Sequence, residues 1–151
     1  MQLKLFAMKI LKIAGHPVLV MSVFLLLLIS GESFGGFYVL YILLGLPHGV
    51  PDALLAVGGL AVMLLGYKIY RKQFSPIKPL LYLAGNALMI YSLFVFFRMS
   101  KGYNDATFHQ TVPFISFVLY GLCVLCNLFY SIILFLNKNT PKNSHPLNIV
   151  S

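Results

Sequence analysis

The sequence predicts an all-α integral membrane protein, a four-transmembrane-helix bundle preceded by a short N-terminal interfacial helix. Three observations carry that expectation. Four long apolar runs, at 17–46, 50–67, 79–97 and 111–136, take up most of the 151 residues, and a bilayer asks for roughly 20 mainly apolar residues per crossing helix. Hydrophobic residues make up 60% of the chain and charged ones 9%, against about 25% charged in a soluble domain. The basic residues are clustered in the polar breaks between the runs. On this reading residues 1–16 are an amphipathic segment, 17–136 the transmembrane domain and 137–151 a flexible tail.

Residues 2–13 alternate lysine with apolar side chains. Leu3, Phe6, Ile10 and Ile13 recur at helical spacing, with Lys4 and Lys12 pointing away from them, the pattern of a helix lying in a membrane interface. Gly15, His16 and Pro17 turn the chain into the first run. That run is too long for a signal peptide and no small-residue cleavage site follows it, so an uncleaved first helix is expected.

The first run spans 30 residues, about 45 Å as a helix against a hydrocarbon core of about 30 Å. Its middle reads Ser30-Gly31-Glu32-Ser33-Phe34-Gly35-Gly36. The preferred expectation is one long tilted helix. The alternative is a break near the glycines, leaving an inner piece at 17–30 and an outer piece at 37–46, which needs protein or water over the freed backbone.

Residues 46–52 form a tight turn, with Asp52 expected as the N-cap of the second helix. The second run carries Gly58-Gly59, the third Gly85-Asn86, and the fourth opens with Pro113 and contains Asn127. Cys123 and Cys126 lie three apart in the fourth run and read as small apolar packing residues rather than a redox or metal pair.

The net charge of +8 does not mark a nucleic-acid surface, because nine of the eleven basic residues lie in three clusters at alternate ends of the runs. Only Arg98 and Lys101 lie elsewhere, between the third and fourth. Lys4, Lys9 and Lys12 precede the first run. Lys68, Arg71, Lys72 and Lys78 separate the second and third, and Lys138 and Lys142 follow the fourth. Positive charge is retained on the cytoplasmic side of short loops. Both termini and the middle loop are therefore expected in the cytoplasm, with anionic lipid heads as contacts of the inner face. A general likeness to small four-span bacterial membrane proteins implies an inner-membrane location and carries no residue roles.

Glu32 is the only acid in the middle of an apolar run, Asp52 standing at the start of the second. Such a residue is costly in lipid and usually faces water or the bundle interior. With Asn86 and Asn127 it suggests one polar layer across the bundle, serving either as a proton or cation relay or as a packing lock. Gly31 and Gly35 match the small-residue helix-contact spacing, and Gly58 and Gly59 permit close approach. His48, Asp52, Asp105 and His109 form a weak metal or pH-sensing set on the outer side. There is no Ser-His-Asp arrangement, phosphate-cradling loop or paired carboxylate, so no enzyme and no cofactor is expected. The leading expectation is a non-catalytic accessory or oligomeric subunit of a membrane assembly, and the alternative a small proton- or cation-transport component.

Overall fold

The computed structural model describes residues 2–31, 35–69, 77–100 and 102–137. Glu32, most of the lysine-rich middle loop and the 138–151 tail lie outside the described residues. The chain runs α1 (Gln2–Ala14), α2 (Pro17–Leu25), β1 (Leu28–Ser30), β2 (Gly35–Phe37), α3 (Tyr38–Gly45), α4 (Pro51–Ile69), α5 (Ile77–Met99), α6 (Ala106–His109) and α7 (Thr111–Asn137).

Three helices are long and apolar enough to cross a membrane, with spans at Pro51–Lys68, Ile77–Met99 and Thr111–Ile133. They coincide with the second, third and fourth apolar runs. Pro51 occupies the first helical position of α4, where its missing N–H costs nothing. Asp52 is therefore not the N-cap expected of it. It lies one residue further in, buried, with its carboxylate taking backbone N–H groups of the same turn. Gly49, at φ 66°, supplies the left-handed residue that turns α3 back into α4.

The first run is not the continuous helix expected of it. It divides into α2, an antiparallel hairpin and α3. The pairs are Leu28↔Phe37, Ile29↔Gly36 and Ser30↔Gly35, and the Tyr38 N–H extends the ladder to the Leu27 carbonyl at 2.7 Å. The break is stable because a neighbouring segment satisfies the free edge of β1. The Leu28 N–H donates to Ser116 Oγ at 3.1 Å, and the Ser30 N–H to Thr107 Oγ1 at 2.9 Å. Thr107 Oγ1 in turn donates to the Ser30 carbonyl at 3.0 Å, and Ser30 Oγ donates to Gln110 Oε1 at 2.8 Å. Covering protein is the condition under which non-helical backbone survives away from water. Because Gly35 is in a strand, Gly31 and Gly35 do not form the helical contact face that their spacing suggested.

The core lies where α2, α4, α5 and α7 meet. Tyr120, Phe24, Tyr38 and Phe96 form a cluster beside the hairpin, with ring centroids 5.2–5.6 Å apart in successive pairs. Tyr38 is fully buried and its hydroxyl donates to Ser92 Oγ. The apolar side of α1 is open, with Phe6, Ile10 and Ile13 all exposed.

Candidate functional site

Helix α1 ends because the residue before a proline is pushed out of the helical region. His16 is extended, at φ −67° and ψ 129°. The break frees the Gly15 carbonyl from helical bonding, and Gly15 itself is pressed against α7. A Cβ there would stand 2.7 Å from the Cys126 carbonyl oxygen and 2.9 Å from the Asn127 nitrogen. Only glycine allows that approach.

The approach creates a buried polar layer. Asn127 Nδ2 donates to the Gly15 carbonyl. That fixes the orientation of the Asn127 amide, because a carbonyl can only accept. Asn127 Oδ1 is left as the acceptor for Asn86 Nδ2, at 2.8 Å. Asn86 and Asn127 are 1% and 0% exposed, so no bulk water competes. Among the described residues Asn86 Oδ1 has no partner.

Of the three residues expected in one layer, the fold brings Asn86 and Asn127 together. Their third partner is a backbone carbonyl, while Glu32 lies outside the described residues. The chain on either side of it, at Ser30 and Gly35, is held in the hairpin beside Thr107 and Gln110.

Gly59 and Gly85 form the close contact of α4 with α5. A Cβ on Gly59 would stand 3.0 Å from the Gly85 carbonyl oxygen, and one on Gly85 3.0 Å from that of Gly59. Gly58 does not share this role, for nothing lies within 4 Å of its Cβ position. A turn of about 100° per residue points it elsewhere. Cys123 and Cys126 are free thiols in α7, and the backbone of Cys126 forms the floor under Gly15.

The four residues expected on the outer side do not converge. His48 Nδ1 donates to the Leu44 carbonyl at 2.9 Å, Asp52 is buried in α4, and Asp105 and His109 are exposed, the first just before α6 and the second its last residue. Among the described residues no three His, Cys, Asp or Glu side chains are placed to hold a metal ion.

Two features had weaker sequence signals. The hairpin is foreshadowed by the density of Gly and Ser at 30–36 between apolar flanks. The hydroxyls that cap it, Thr107 and Ser116, carry no signal, because their role depends on what packs against them. Gly15 read only as a turn residue.

Fold and site together define a largely helical chain with three potential membrane-crossing helices, tied to its N-terminal segment by a buried amide pair. No known family, curated protein or solved structure matches it.

Proposed function

We propose that this chain is an integral membrane protein that works within a larger membrane assembly as a non-catalytic subunit, either with copies of itself or beside other membrane subunits. The lysine clusters support placing both termini in the cytoplasm, with α2, the hairpin and α3 as a fourth crossing of the inner membrane. The observation that carries the assembly reading is Gly58. It stands inside α4 with open space where a side chain would be, flanked on that side by the exposed Leu54, Val57 and Leu65. A glycine inside a helix costs about 0.8–1.0 kcal/mol relative to alanine, and no described neighbour makes use of its size. Small residues on an otherwise lipid-facing surface are where membrane helices dock. Only 33%, 33% and 28% of the three spanning windows is buried within the chain, which leaves ample helix surface for a neighbour.

Cross-linking in bilayer nanodiscs tests this reading. The unmutated protein is expected as an oligomer or with a co-purifying membrane subunit, and Gly58→Leu is expected to release it with helicity unchanged. A monomer in both cases overturns the proposal.

A second reading, a path for protons or a monovalent cation, has its own support. Asn86 Oδ1, Tyr120 Oη and Ser131 Oγ are buried without hydrogen-bond partners among the described residues, and groups of that kind are commonly satisfied by internal water. Tyr120, Asn127 and Ser131 share one helical face, and Glu32 would supply a titratable group. Flux into reconstituted vesicles, lost in Glu32→Gln, is the expected result on this reading. No flux in the unmutated protein removes it.

A further inference from the structure

A groove of about 560 Å³ opens between the α1–α2 bend and the end of α4. Ile13, Val18 and Leu19 make its apolar wall, with Lys12 and His16 at one end and Tyr67 across from them. His16 and Tyr67 pack edge to face, with centroids 5.4 Å apart. The lining continues to Ser22. From Pro17 to Ser22 the groove follows α2 for roughly 8 Å.

The polar end of the groove carries positive charge, and no acidic side chain is among the described residues that line it. Lys78 Nζ stands 5.8 Å over the Tyr82 ring, which packs at Gly66 beside Tyr67. Lys78 lies within electrostatic reach of Lys12, and Lys68 follows Tyr67 on α4. The three acidic residues of the chain are Glu32, Asp52 and Asp105. None is in 1–31 or 53–104, and Asp52 stands at the opposite end of α4, roughly 24 Å from Lys68. Cationic side chains gathered at the polar end of an apolar groove favour an anion with an apolar tail.

We propose that this groove binds one anionic phospholipid of the surrounding bilayer, its phosphate between Lys12 and Lys78 and one acyl chain along Ile13, Val18 and Leu19. The site rests on the membrane reading above and not on the assembly reading, so failure of the Gly58 cross-linking test leaves it standing.

The test is native mass analysis of the protein taken from vesicles of equal phosphatidylglycerol and phosphatidylcholine. The unmutated chain is expected to keep one phosphatidylglycerol, with a preference of about tenfold or more over phosphatidylcholine. The pair Lys12→Gln and Lys78→Gln is expected to bring the two lipids to parity. The pair Arg98→Gln and Lys101→Gln, which removes the same charge between the third and fourth apolar runs, is expected to keep the preference. Leu19→Trp fills the channel and is expected to lose the lipid at unchanged helicity; if it misfolds, the two charge pairs decide alone. Equal retention of both lipids by the unmutated chain overturns the proposal, as does equal loss of preference in both charge pairs. A thermal shift from inorganic phosphate as large as that from phosphatidylglycerol also overturns it, in favour of a simple anion site.

Discussion

Asn127→Leu is expected to destabilise the folded chain by about 2–4 kcal/mol, because it strands two buried groups that each cost about 1–3 kcal/mol unpaired. One is the Gly15 carbonyl and the other the Asn86 amide, both of which bond to Asn127 now. Asn86→Leu is expected to cost less, about 1–2 kcal/mol. It strands one acceptor, Asn127 Oδ1, but removes an amide whose own Oδ1 has no partner among the described residues and leaves Asn127 bonded to Gly15. Replacing both partners of a buried hydrogen bond by apolar groups is often close to neutral, so the double variant should be more stable than Asn127→Leu alone. Unfolding of the four proteins in detergent micelles gives the coupling directly. Equal losses in the two single variants would show that the amide layer does not join the N-terminal segment to α7.

Gly59→Val is expected to cost about 3 kcal/mol, at the upper end of the range for overpacking. A side chain there meets backbone on the facing helix, with the Gly85 carbonyl oxygen and the Met89 nitrogen both 3.0 Å from the first added carbon. Met89 Cγ, at 2.8 Å, is able to move, but the two backbone atoms move only if α4 and α5 separate. Gly58→Ala provides the comparison. Its Cβ enters open space, and the helix gains up to about 1 kcal/mol in propensity. Neighbouring glycines should therefore respond with opposite sign in thermal unfolding. The same response at both positions would mean that the α4–α5 contact is not where the fold places it.

Glu32, Asn86 and Asn127 show how far the site was legible in the sequence. Asparagine in an apolar run stands out by composition, so two members of the layer could be named from the chain alone. Their partner could not, because a backbone carbonyl carries no residue-specific signal. It becomes an acceptor only where the helix breaks before Pro17 and Gly15 lets α7 come close. Gly58 and Gly59 of α4 teach the same lesson. Both were candidates for close packing, and the rotation of the helix against α5 selected Gly59.

What the sequence determined by itself is local in its physics. Hydropathy over some 20 residues sets where α4, α5 and α7 run, and proline, glycine and polar clusters set where they end. The tertiary structure decided the path of 17–46. Glycines at 31, 35 and 36 permit either a long helix or a hairpin, and backbone in a strand needs partners that a helix supplies for itself. Those partners are the hydroxyls of Thr107 and Ser116, 77 and 88 residues further along the chain than the strand groups they bond. Only the packing of distant segments brings them to the edge of β1, and so only the fold determines that this run bends back instead of continuing.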